Sequence, residues 1–91
     1  MAKNFRVCTK RKDIRSLSLL LSGDFDASAA CELICRLDKA AGNSRKIAID
    51  TDGLRTVNAF GLDVFIPRMN RLNHRTADIE VTGRFSEVFK E

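Results

Sequence analysis

The sequence predicts a single small α/β domain: one mixed β-sheet of about four strands in ββαβαβ order, with helices packed mainly on one face. Three observations lead there. Two segments carry apolar residues at three- and four-residue steps, several short segments alternate apolar with polar residues, and 91 residues suffice for one domain, 1–91, with one core. With 44% hydrophobic and 31% charged residues and a single Pro, the composition is that of a globular chain, and no Gly/Ser/Pro-rich stretch marks a linker.

Phe5 and Val7 alternate with polar residues and open a first strand. The polar turn Lys10-Arg11-Lys12-Asp13 leads back into a second strand around Leu17, Leu19 and Leu21, which makes a hairpin. Asp26 or Ser28 caps a helix over 28–41, whose apolar positions Ala30, Leu33, Ile34, Leu37 and Ala41 recur at helical steps, and Gly42-Asn43 stops it. Ile47 and Ile49 alternate in a short third strand ending at Asp50, after which Thr51-Asp52-Gly53 is turn chemistry. Asn58 caps a second helix over 59–73 with the stripe Leu62, Phe65, Ile66, Met69 and Leu72, expected to be core. Pro67 removes a backbone donor inside that pattern and predicts a kink or break between Asp63 and Pro67. Ile79 and Val81 mark a fourth strand, followed by Gly83 and a short amphipathic end carrying Phe85, Val88 and Phe89. Helical crossovers favour parallel, right-handed connections, so the opening hairpin adds an antiparallel edge to a parallel sheet. The strands alternate and are not apolar throughout, so one face is expected to meet the helices and the other to stay partly wet.

Several chemistries lack the residues they need. The cysteines Cys8, Cys31 and Cys35 are an odd count without disulfide spacing, expected as reduced thiols filling core or near-core space. With the lone His74 they do not make a zinc quartet. One histidine and no G-x-S-x-G turn leave neither a Ser/His nor a Cys/His nucleophile system, so the protein is expected not to be an enzyme. Asp24, Asp26, Asp50 and Asp52 lie at the ends of two strands that can be neighbours, which raises a nucleotide or divalent-cation site. Capping and turn formation account for them better, and no Gly-rich phosphate loop accompanies them, so no cofactor or metal is expected. The 16 basic residues exceed the 12 acidic ones. They are scattered apart from Lys10-Arg11-Lys12 and a helical set at Arg68, Arg71 and Arg75, and read as a solvated face in preference to a nucleic-acid surface. No signal-peptide core or membrane-length apolar run appears, so a cytoplasmic location without membrane insertion is expected.

Leu21-Ser22-Gly23-Asp24-Phe25-Asp26, then a helix, then Ile47-Ala48-Ile49-Asp50 and Val57-Asn58-Ala59-Phe60-Gly61-Leu62 together resemble the STAS domain of bacterial anti-sigma factor antagonists. The resemblance covers nearly the whole chain. It rests on the order of two short motifs, L-x-G-x-x-D before the first helix and a D-S-[ST]-G-L-like motif opening the second, and on the closing Ile79 to Gly83 and Phe85 to Phe89 segments. It implies a non-catalytic regulatory module that binds a protein, an anti-sigma factor or related kinase, through the start of the second helix. A STAS-like subunit of a transporter or other complex, or a basic nucleic-acid-binding module, is the alternative.

Two departures from the family matter. The family's phosphorylated Ser or Thr falls on Ala59, which has no hydroxyl, and Asn58 and Phe60 stand where the family commonly has an Asp and a small or hydroxylated residue. The resemblance therefore implies partner binding through Arg55, Thr56, Val57, Asn58, Ala59, Phe60, Gly61 and Val64 without a phosphorylation switch at Ala59. Phe60 and Val64, one helical turn apart and off the core stripe, read as an apolar contact patch. The family also usually continues past the point matching Glu91, so an uncovered sheet edge is expected, closed by a partner or in a homodimer.

Overall fold

Strands β1 (Arg6–Arg11) and β2 (Ser16–Phe25) form an antiparallel hairpin, and β3 (Lys46–Val57) and β4 (Asp78–Thr82) lie parallel beyond β2. The computed structural model describes residues 4–42, 44–73 and 77–89; His74 and Arg75, and Asn43 of the first helix stop, lie outside them. Strand order across the sheet follows chain order. Helix α1 (Ala27–Ala41) carries the chain from β2 to β3, α2 (Ala59–Leu72) carries it from β3 to β4, and α3 (Ser86–Phe89) closes it. The mixed α/β sheet that the sequence predicts is thus the fold observed. The hairpin turn is tied by Asp13, whose Oδ1 accepts from the N–H of Arg15 at 2.8 Å and of Ser16 at 2.9 Å.

Alternation decides which face is inside. Leu17, Leu19 and Leu21 of β2, Ile47 and Ile49 of β3, and Ile79 and Val81 of β4 are buried under α1 and α2. The residues between them face away from the helices and are half-buried or exposed. In α1 the buried side chains Ala29, Ala30, Leu33, Ile34, Leu37 and Ala41 form the predicted stripe. Four phenylalanines close the core at one end. The Phe25 ring meets Phe5, Phe65 and Phe89 edge-on at centroid distances of 5.9, 5.8 and 5.1 Å.

Four expectations need correction. The third strand does not end at Asp50. It runs on to Val57, because one extra β3 residue is accommodated between the pairs Leu20↔Asp50 and Ser22↔Gly53, and another between Gly23↔Leu54 and Asp24↔Thr56. Thr51-Asp52-Gly53 is therefore strand and not turn. Its polar groups instead hold the β4–α3 connection: buried Thr51 Oγ1 donates to the Thr82 carbonyl at 2.7 Å and accepts from Phe85 N–H at 3.0 Å, and Asp52 Oδ1 accepts from Arg84 N–H at 2.8 Å.

The second correction concerns α2, which is continuous through Pro67. Pro67 and Asp63, whose carbonyl loses its usual donor, both lie on the exposed side, so the vacated acceptor is open to solvent and no break is needed. Third, the centre of the α2 stripe is Gly61, Phe65 and Met69, while Leu62, Ile66 and Leu72 are only half-buried. Fourth, all three cysteines are exposed. Cys8 alternates out of phase with inward-turned Val7, and Cys31 and Cys35 stand on the α1 face away from Leu33 and Leu37.

Candidate functional site

The C-terminal ends of β2 and β3 outrun the rest of the sheet. β1 begins opposite Ser22, and β4 ends opposite Asp50, so Gly23–Phe25 and Leu54–Val57 pair alone as a two-stranded ribbon. Each strand of this ribbon leads within one residue into a helix, which brings the starts of α1 and α2 side by side. Asn58 N–H donates to the Phe25 carbonyl at 2.8 Å and fixes that junction.

Gly23 permits the ribbon to form. Its φ of +91° suits only a residue without Cβ, and a Cβ there would run into the Asn4 carbonyl. The two helix starts are capped in the same way: Asp26 Oδ1 accepts from Ala29 N–H at 2.8 Å, and Asn58 Oδ1 accepts from Phe60 N–H at 2.8 Å. Both caps are those the sequence predicts, with Asp26 and not Ser28 serving α1.

On the ribbon's outer surface the register sets Asp24 opposite Thr56 and beside Arg55. Asp24 Oδ1 accepts from Arg55 Nε at 3.2 Å and from Thr56 Oγ1 at 2.9 Å, while Oδ2 accepts from Arg55 Nη2 at 3.1 Å. The fork of Arg55 and the Thr56 hydroxyl hold the Asp24 carboxyl below its usual value of 3.8. Arg55 remains 67% exposed and Asp24 34% exposed, so the pair presents a fixed guanidinium to solvent and adds little to stability.

Next to it, α2 begins with three exposed residues, Asn58, Ala59 and Phe60, and Phe60 is 73% exposed. Only Ile14, at the tip of the hairpin, and Val88 are also large, apolar and exposed among the described residues. The other residues expected here take different places. Val57 is half-buried against the core. Val64 also packs on the core, so Phe60 stands without it and the apolar pair read from the sequence reduces to one ring. Gly61 is buried, and a Cβ there would approach the Asp26 carbonyl oxygen to 2.8 Å and the Phe25 ring to 3.1 Å. It offers a partner no side chain, but it sets how deeply α2 sits and so where Phe60 projects.

Sequence reasoning missed Asp24 as the residue that orients Arg55. The signal needed was the β2–β3 register, which joins residues 31 apart. The other aspartates do not gather into a site. Asp26 is the cap, Asp50 Oδ1 accepts from Asp52 N–H at 2.9 Å, and no group of three His, Cys, Asp or Glu side chains converges among the described residues. Among those residues, no helix is long and apolar enough to cross a membrane.

No protein-family model and no curated protein sequence matches the chain. Solved structures do. The chain is similar to the unphosphorylated anti-sigma factor antagonist SpoIIAA, with a TM-score of 0.65 at 15% identity, over 84% of this chain and 71% of that one. It is similar to an anti-sigma factor antagonist STAS domain from Rhodobacter sphaeroides, with a TM-score of 0.70 at 11% identity, over 97% and 92% of the two chains. It is also similar to Mglu, with a TM-score of 0.71 at 16% identity, over 81% of this chain but only 18% of that one. The chain therefore has a STAS-like fold, which these likenesses show without assigning an activity.

Proposed function

We propose that this chain is a non-catalytic, cytoplasmic regulatory module that binds a protein partner, an anti-sigma factor or related kinase, through the outer ribbon and the first turn of α2. One observation carries the reading. Phe60 is 73% exposed in the first turn of α2, five residues after an Arg55 fixed by Asp24, and exposed aromatic and arginine side chains are the residues enriched at interface centres. Similarity to anti-sigma factor antagonist structures supports the choice of partner class.

On this reading binding is constitutive. A phosphate at the start of a helix brings about −2 charge and bulk into an interface, and Ala59 has no hydroxyl to carry one. The test is to titrate the chain into candidate anti-sigma factor kinases of its source organism, before and after incubation with ATP and magnesium. The reading predicts binding by at least one of them with an affinity that ATP treatment leaves unchanged. Loss of binding together with a phosphate on the chain would overturn the constitutive part, and no binding to any of them would overturn the partner class.

A further inference from the structure

The face of the sheet turned away from the helices has a charge polarity of its own. Lys12 N–H donates to the Ser16 carbonyl at 3.0 Å and so continues the β1 register by one residue. Three rows then cross the four strands: Lys12, Ser16, Lys46, Asp78; Lys10, Ser18, Ala48, Glu80; and Cys8, Leu20, Asp50, Thr82. The β1 side ends in exposed Lys10 and Lys12, and the β4 side in exposed Asp78 and Glu80, with Lys46 of β3 beside Asp78 and Asp50 two rows from it, so the β3–β4 half keeps an excess of carboxylates. Between them the small side chains of Ser18 and Ala48 leave a hollow of about 350 Å³, with Lys12 on one rim and Glu80 on the other.

Three strand spacings put Lys10 and Glu80 of one copy roughly 14 Å apart, beyond the screening length of about 8 Å at physiological salt. They do not neutralise each other. We propose that this face binds a second copy of the chain, face to face, about a two-fold axis parallel to the strands. That axis lays β1 of each copy over β4 of the other and sets Lys10 opposite Glu80 of the second copy, twice per dimer. A two-fold axis across the strands through the Lys10–Glu80 row would stack Lys10 on Lys10 and Glu80 on Glu80 and set only Lys46 opposite Asp50, so the charge pattern favours the arrangement that pairs Lys10 with Glu80 and Lys12 with Asp78.

The β4 edge is less suited to self-pairing. Asp78 N–H turns inward to the Arg45 carbonyl at 2.8 Å, so the next donor, Ile79 N–H, points outward. Asn73 Oδ1 already takes it at 3.0 Å, which blocks the start of the β4 edge. The face is small. Four strands at about 4.8 Å and five residues at about 3.3 Å give a footprint of roughly 300 Å² per copy, below the ~800 Å² per partner of a stable interface. The dimer is consequently weak and salt-sensitive, and it leaves the start of α2, on the helix side, free for another protein.

Sedimentation velocity on the full chain at about 0.5 mM and about 50 mM salt tests this, with a repeat at about 0.5 M salt. The expected result is a monomer–dimer equilibrium weakened more than about tenfold by the salt. Lys10→Glu and Glu80→Lys, both at exposed positions, should each weaken it by more than about tenfold, while an equimolar mixture of the two variants should recover dimer as heterodimer. Circular dichroism melts of each variant that match the parent's establish that folding is intact. A chain that stays monomeric throughout, single variants that dimerise as the parent does, a mixture that stays monomeric, or species larger than dimers, the product of edge pairing, would each overturn the proposal.

Discussion

Asp24 and Arg55, 31 residues apart in sequence, form a two-pronged ion pair across the end of the β2–β3 ribbon. The pair exists because β3 holds one extra residue between Leu54, opposite Gly23, and Thr56, opposite Asp24. That residue is Arg55 itself, and the bulge aims it across the strand at the carboxylate.

The pair has a pH signature. Hydrogen bonds from Arg55 and Thr56 hold the folded-state Asp24 carboxyl below 3.8, its usual value in an unfolded chain. Ionised Asp24 therefore favours the fold, with its contribution fully present above 3.8 and lost as the pH falls through the lower, folded value. A carbon-detected titration should place the Asp24 midpoint below 3.8 and move it upward in Arg55→Ala. A midpoint unaffected by that substitution would show that the fork does not persist in solution.

Gly61→Ala should destabilise the protein, although alanine is the better helix former by about 1 kcal/mol. The added methyl meets the Asp26 backbone at 2.8 Å, where nothing flexible can give way. Denaturant unfolding is expected to show a loss of about 1–3 kcal/mol, and a gain in stability would mean that α2 is not seated this close to the β2–α1 junction.

Phe65 and Leu62 separate the true core of α2 from its flank. Phe65 is fully buried between the Phe25 and Phe89 rings, so Phe65→Ala should cost about 3–5 kcal/mol. Half-buried Leu62 should cost only about 1 kcal/mol on the same change. Equal losses would move the stripe back to the phase read from the sequence alone.

All three thiols should react with a small disulfide reagent in the native protein, at rates close to those after denaturation, because Cys8, Cys31 and Cys35 are exposed. Protection of any one of them would restore it to the core.

What the sequence made legible follows from how far its periodicities run unbroken. Both long helices, both caps and the buried set Leu17, Leu19, Leu21, Ile47 and Ile49 came from patterns that run unbroken along α1 and β2, through Phe65 and Met69 of α2, and up to the first bulge of β3. The second half of β3 was hidden because two bulges shift the phase, so that buried Thr51 and Leu54 do not share a period of two. Thr51-Asp52-Gly53 moreover has the composition of a turn. The cysteines were misplaced although the signal was present: one and five residues after Ala30, Cys31 and Cys35 fall on the side of α1 away from its stripe. Of the candidate site, Asn58, Ala59 and Phe60 were readable as the cap and first turn of α2. The Asp24–Arg55 pair required a register that no local pattern encodes, and the partial burial of Val64 required knowing how α2 rolls on the sheet.

The most direct measurement is calorimetric titration of a captured anti-sigma factor partner with the parent chain, Ala59→Asp and Phe60→Ala. Aspartate in the first turn of a helix favours the helix, so Ala59→Asp should keep the fold while placing a charge at the proposed interface. Binding should weaken by more than about tenfold in Ala59→Asp and by about 1–3 kcal/mol in Phe60→Ala, with both variants melting as the parent does. Unchanged affinity in both would contradict it and place the partner surface away from the start of α2.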